Sequence, residues 1–362
     1  MRRRTILQVA YPLAPVHDGT AGGAEQVLLR LDEAVAASGH RSLVVAAAGS
    51  RVHGRLVATP APVGDLVEAR AAAHRAHADA VARVLASTRV DLVHLHGVDF
   101  DAYLPPEGVP ALVTLHLAPQ AYAPGALDVP RRGTYFNCVS FAQLAAGAGR
   151  VRAAAVVPNG VPLDELRPSV RKRAFVLSIA RICPEKGVHL ALDAARRAGR
   201  PIVLAGAVFG YPDHRRYFEQ EVVPRLGPHA RFVGSVAGGR KRRLLSAARC
   251  LVVASLAEET SSLVAMEALA CGTPVVALRR GALPEIVEHG RTGYVVDRAG
   301  DLPAAIEAAG GLDPAACRRA AEQRFSAATM TRGYLELYEQ ILRGRVEPLA
   351  EALLHAPVIH HA

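Results

Sequence analysis

Short runs rich in valine, isoleucine and leucine alternate with helix-length amphipathic stretches along nearly the whole chain. A strand covered on both faces reads as a continuous apolar run, so this alternation predicts buried parallel strands joined by crossover helices. The first series places strands at residues 5–10, 42–47, 91–96, 111–116, 135–140 and 154–157. The second places them at 175–180, 201–206, 230–234, 250–255, 274–278 and 293–296, with helices such as 24–38, 65–88 and 188–198 between strands. Two consecutive series in 362 residues predict an α/β chain of two doubly wound domains. The string VPNGVPLDELRPSVRKR, residues 157–173, has the prolines, Asn-Gly and charge run of a linker. This gives a first domain over 1–165 and a second over 166–326. A helix over 327–345 follows, with an apolar face of Met330, Tyr334, Leu335, Leu337, Tyr338 and Leu342. The tail, 346–362, carries three histidines in its last eight residues and reads as a frayed terminus.

Composition narrows the classes. A hydrophobic content of 51% excludes a disordered chain. No apolar run approaches the ~18 residues of a spanning helix. The opening MRRRTILQVAYPLAPV is interrupted by prolines and lacks a cleavage site, so it reads as a first buried strand rather than a secretory leader. Five widely spaced cysteines without a C-x-x-C pair fit a reducing cytoplasm. The net charge is +10, and among 43 basic residues lysine occurs only at 172, 186 and 241. A lysine kept in such a chain is informative, since arginine cannot replace a compact point charge in every geometry. Sparse aromatics and the absence of helix-turn-helix, zinc-finger or RNP-like strings argue against a nucleic-acid partner.

Ligands of open α/β sheets bind beyond the carboxyl ends of the strands, and four places there carry suitable residues. In HDGTAGGAEQ, Gly22 and Gly23 precede a predicted helix, where backbone amides can approach an anion; an ordinary glycine-rich turn is the alternative. In SIARICPEKG, Arg181 and Lys186 flank a helix entrance and suit a diphosphate, unless they are a solvated pair that Glu185 neutralises. EETSSLVAMEALACGTPVVA is the densest signal. Glu259 in a loop and Glu267 on the following helix, eight apart, can hold separate hydroxyls of one elongated ligand, with the helix start at Ser261, Ser262, Leu263 and Val264 facing phosphate. Glu258 is an ambiguity that the spacing resolves toward Glu259. The fourth place is the pair of strand ends bearing His94, His96 and His116, which lack a zinc-site spacing and leave His116 the candidate for facing substrate. His74 and His77 are expected on a solvated helix face.

These strings resemble the retaining GT-B glycosyltransferases of family four: GGAEQ, VPNGV, ARICPEKG, the E-x7-E element EETSSLVAME, and ACGTPVVA followed by GALPEIVEHGRTGYVV. They occur in the family's order across about residues 5–345. The resemblance implies a GT-B fold, two Rossmann-like domains facing each other across a cleft, with the helix 327–345 crossing back to the first. It further implies a nucleotide-sugar co-substrate, UDP-glucose-like first and GDP-mannose second, and hexosyl transfer with retention to a small-molecule, glycan or lipid-linked hydroxyl. On that basis Arg181 and Lys186 bind the diphosphate, Glu267 the ribose and Glu259 the transferred sugar. Gly22 and Gly23 border the phosphates, and His116 lies near the reacting sugar. Thr260, Ser261 and Ser262 stand where many relatives have Pro-Phe-Gly or another small-residue string, which leaves the sugar less defined. No persuasive Asp-x-Asp motif is present, so neither metal nor bound cofactor is expected. A dinucleotide oxidoreductase lacks its fingerprint here; a sugar-nucleotide-binding pseudoenzyme is the remaining alternative. The clusters MRRR and GGRKRR are candidates for peripheral contact with an anionic membrane.

Overall fold

The computed structural model describes residues 2–20, 22–64, 66–168, 170–346 and 349. They form two compact units: one made of the described residues of Met1–Asn159 and Thr329–Ala362, the other of those of Gly160–Ala328. The proline- and charge-rich segment 157–173 straddles the first division. Apart from Val346 and Leu349, the histidine-containing tail lies outside the described residues.

In the first unit the strands are β1 (Thr5–Val9), β2 (Arg41–Ala47), β3 (Arg55–Thr59), β4 (Leu92–Leu95), β5 (Ala111–Leu115), β6 (Thr134–Cys138) and β7 (Ala153–Val156). All pairings are parallel, in the order β3-β2-β1-β4-β5-β6-β7. The second unit holds β8 (Val176–Ile179), β9 (Ile202–Ala205), β10 (Ala230–Phe232), β11 (Cys250–Val253), β12 (Val275–Leu278) and β13 (Gly293–Val296). Its order is β10-β9-β8-β11-β12-β13, again parallel. Both sheets therefore reverse direction beside their first strand, which opens a crevice at the strand ends β1/β4 in one unit and β8/β11 in the other.

Strand β3 was not anticipated. Its apolar run is only Leu56–Ala58, and as an edge strand it keeps Arg55 and Ala58 exposed, so it lacks the two-sided burial of central strands such as β1, β4 and β5. Several strands stop one or two residues before their apolar runs do. As a result His96, His116, Ala180 and Ser255 lie just past the last ladder residues, at the strand ends where ligands bind.

The last helix, Ala327–Leu342, packs Met330, Tyr334, Leu337, Tyr338 and Ile341 against Ile6, Leu92 and Leu112 of the first sheet. Its tyrosines also satisfy a buried polar row. Tyr338 Oη lies 2.6 Å from His94 Nδ1, and His94 Nε2 lies 2.8 Å from Thr114 Oγ1. Tyr334 Oη lies 3.2 Å from Thr114 Oγ1 and accepts from Asn137 Nδ2 at 3.1 Å. Because buried polar groups must be paired, this row fixes which face of the helix meets the sheet.

The expectation that His74 and His77 are solvated is corrected. The short helical turn Phe100–Tyr103 covers that face: His74 Nε2 meets Asp99 Oδ2 at 2.5 Å, and fully buried His77 packs its ring 5.6 Å from Tyr103. Burial pushes His77 and His116 down to about 4, and holds His94 and His96 well below the ordinary imidazole range, with neighbouring histidines adding to the effect in these last two. Unfolded histidines take up a proton near pH 6.5, so from there downward the unfolded chain binds more protons than the folded one. Stability is then full above pH 6.5 and falls as pH drops toward 4, by about 1.4 kcal/mol per pH unit for each such histidine. Melting temperatures measured from pH 7.5 to 4 should decline steadily below 6.5; a flat profile would contradict the burial of these rings.

Candidate active site

In the second unit the crevice at β8/β11 gathers most of the expected residues. Past β8 the chain passes through exposed Arg181 and the turn Pro184–Lys186, then enters the helix Val188–Arg197 at Gly187. Gly187 has φ +55°, and a Cβ there would run into the Ala254 carbonyl, so only glycine lets this turn lie against the loop after β11. That close approach is stitched by the Glu185 carbonyl, which accepts from Leu256 N at 2.8 Å, Ala257 N at 3.2 Å and Ser255 Oγ at 3.2 Å. Joined in this way, the two loops bring Lys186 Nζ to 2.5 Å from Glu259 Oε1.

The two adjacent glutamates have different surroundings. Glu258 is exposed and accepts from Gly281 N at 2.5 Å, while the Glu259 carboxylate is only 10% exposed and faces Lys186. Gly281, with φ +50°, leaves no room for a Cβ against the Glu259 backbone, and Ala282 N donates to Glu259 O at 2.7 Å. The GALPEI string thus holds the acidic loop from behind.

Glu267 sits in the helix Leu263–Ala270, buried. Ser262 is the residue before that helix and accepts from Ala265 N and Met266 N through its carbonyl, which leaves the N–H groups of Leu263 and Val264 without an intrahelical acceptor. Ser261 Oγ is buried with no hydrogen-bond partner among the described residues. Two free amides, a positive helix end and an unsatisfied hydroxyl make a cradle for anionic oxygens.

Lys241 belongs to the basic cluster GGRKRR, a candidate for contact with an anionic surface. Instead it turns inward from the helix Gly238–Ala247, its Nζ 2.7 Å from Glu267 Oε1 and 2.6 Å from Oε2, while Arg240 and Arg243 stay exposed. Lys172, the third lysine, donates to Thr273 Oγ1, and burial lowers its ammonium to about 8. All three lysines therefore make directed contacts in the second unit. The charge surplus is concentrated there as well: 25 basic against 17 acidic residues in Gly160–Ala328, compared with 18 against 16 in the rest of the chain.

Within the first unit, Gly22 is the N-cap of the helix Gly23–Ala37 and Gly23 its first residue, one position earlier than expected. A side chain at Gly22 would collide with the Glu25 carboxylate, so that carboxylate already lies against the helix entrance. A diphosphate binding there has to displace or outcompete it. His116 Nε2 lies 3.1 Å from His96 Nδ1 with the rings stacked. The Asp99-Phe100-Asp101 string does not present a free acidic pair, since Asp99 is held by His74 and by Tyr103 Oη at 2.7 Å. One group of mixed ligands was unforeseen: potential donor atoms of Cys183, Glu185 and His214 lie within 4.8 Å of one another. Nothing in the spacing C-x-E with a distant histidine marks it in the sequence.

Residues 173–310 match the family described as Glycosyl transferases group 1. The second unit is a glycosyl transferases group 1 domain. D-inositol 3-phosphate glycosyltransferase of Mycobacterium avium is 36% identical to this chain over 159 residues, 39% of this chain and 36% of that protein. The match thus spans little more than a third of that curated relative. Over almost the full length, the chain is similar in structure to AviGT4, a glycosyltransferase involved in avilamycin A biosynthesis, with 28% identity, a TM-score of 0.71, and 94% and 98% of the two chains covered. Anabaena HepE in complex with UDP and glucose shares the fold at 22% identity and a TM-score of 0.71, covering 92% and 99%. The GT-B fold implied by the resemblance is borne out. Every one of the conspicuous strings ARICPEKG, EETSSLVAME and ACGTPVVA lies inside the group 1 domain. Among the described residues no helix is long and apolar enough to cross a membrane.

Proposed function

We propose that the protein is a retaining glycosyltransferase that moves a hexose from a nucleotide-sugar to an acceptor hydroxyl. The observation that carries this reading is the pairing of Lys186 with Glu259 at the β8/β11 crevice of a group 1 domain, beside the free amides of Leu263 and Val264. In this reading Arg181, Lys186 and the helix amides hold the diphosphate, Glu259 takes the hexose hydroxyls and Glu267 the ribose. Gly22, Gly23 and His116 are the first unit's candidates for ligand contact. UDP-glucose is the first donor to try, in keeping with the UDP and glucose held by HepE.

Transfer proceeds by cleavage of the bond between the anomeric carbon and the β-phosphate oxygen. Positive charge grows on the sugar and negative charge on the diphosphate, and Arg181 and Lys186 stabilise the latter in place. Acceptor oxygen attacks from the face the phosphate leaves, and its proton passes to a phosphate oxygen, so configuration is retained without a protein nucleophile. Burial keeps His116 neutral at pH 7, so it serves as a hydrogen-bonding group rather than a second cation.

A thermal-shift panel of nucleoside diphosphates identifies the base, and turnover with the matching sugar donor separates a transferase from a pseudoenzyme. Product NMR should show the donor's anomeric configuration preserved; an inverted linkage would remove the front-face mechanism. Activity is expected to survive EDTA, since the cations and amides named above supply the positive charge. Loss in EDTA with recovery on adding a divalent ion would overturn that, and would direct attention to Cys183, Glu185 and His214.

A further inference from the structure

Lys241 and Glu267 meet in a setting where neither charge is well solvated. Their side chains are 19% and 7% exposed. Removing one partner of such a pair leaves the other uncompensated. The Lys241 ammonium donates to Oε1 at 2.7 Å and lies 2.6 Å from Oε2, so one point charge spans both oxygens and fixes the plane of the carboxylate. Each carboxylate oxygen can accept more than one hydrogen bond.

Charge around the pair is otherwise quiet. One turn on, the Cys271 thiol senses Glu267, and burial raises it, so it stays protonated. Lys172 and Arg318 act on that same thiol, and Arg318 is bound to the carbonyls of Leu163, Leu166 and Ala270. Lys241 is thus the cation in direct contact with Glu267. It is also one of three lysines among 43 basic residues, at a place where a compact ammonium can sit against both oxygens and a guanidinium fork would need more room.

We propose that Lys241 is a positioning residue for ligand binding: by spanning both oxygens of Glu267 it fixes the orientation of the carboxylate toward the hydroxyls of a nucleotide ribose. This rests on the donor-site reading above and adds to it a residue from a separate helix.

The test compares UDP with 2′-deoxy-UDP, or GDP with 2′-deoxy-GDP where guanine is the base bound, by calorimetry at pH 7.5. The intact protein should prefer the ribonucleotide by about tenfold, a typical value for a charged hydrogen bond. Lys241→Met should lose most of that preference, and Lys241→Arg, which returns the charge without the compact geometry, should recover part of it. Lys241→Gln, which keeps a donor without the charge, carries the test if the methionine variant does not fold, and the full preference in it would overturn the proposal. An unaltered preference in Lys241→Met, with the preference abolished in Glu267→Gln, would refute the role of Lys241 and leave the donor site standing. An unaltered preference in Glu267→Gln would overturn both.

Discussion

Lys186→Ala should lower kcat/KM for the sugar donor by about 10²–10³-fold, the cost typical of losing one preorganised electrostatic contact to a developing anion. Two effects combine. The diphosphate loses a point charge at the β8/β11 crevice, and Glu259, mostly withdrawn from solvent, loses the ammonium 2.5 Å from its Oε1. A carboxylate left there without its cation is uncompensated and no longer held in place, which weakens the hexose contact proposed for it as well. Lys186→Arg should recover part of the loss, since charge returns but the compact geometry does not. Steady-state kinetics with donor varied, alongside direct binding of the nucleoside diphosphate, separates the two effects. Should Lys186→Ala and Glu267→Ala both keep the original turnover and donor affinity, the site is elsewhere.

Tyr334→Ala should be the most destabilising change in the first unit, by about 3–5 kcal/mol, as for other large aromatic truncations in a core. Tyr334 is completely buried, packs its ring 5.4 Å from His94 and serves both Thr114 and Asn137 through one hydroxyl. The truncation opens a cavity and leaves two buried side chains short of a partner at once. Tyr334→Phe keeps the ring and should lose only about 1–3 kcal/mol, the cost of leaving buried groups unpaired. Calorimetry of the three proteins should show a fall in melting temperature on the order of 10 °C for alanine and less for phenylalanine. Equal transitions for Tyr334→Ala and the parent would mean the last helix does not hold the sheet in this way.

Much of the second unit was legible from residues alone because its signals are local. Gly187, Lys186 and the E-x7-E carboxylates lie within short strings whose spacing already encodes a turn, a helix start and a charge. Where inference failed, the deciding contact came from far along the chain. The basic cluster GGRKRR read as a surface patch, yet Lys241 meets a carboxylate 26 residues away in sequence. His77 read as solvated because its helix looks amphipathic only weakly, while the turn that buries it, Phe100–Tyr103, lies more than twenty residues downstream. Glu25 gave no hint that it would lie across the glycine pair it follows.

By itself, the order of apolar runs determined two parallel sheets, and the order of motifs carried the resemblance that the match over residues 173–310 bears out, since both depend on patterns a few residues long that survive whatever the rest of the chain does. Tertiary structure alone decided which charges are partners. Lys186 finds Glu259 because Gly187 admits the loop after β11, and Lys241 finds Glu267 because two helices pack side by side. His94 becomes a structural group only when Tyr338 arrives from the far end of the chain. The physical reason is common to all three: periodicity tells a side chain which face it occupies, but the energy of a buried polar group is set by the partner it meets there.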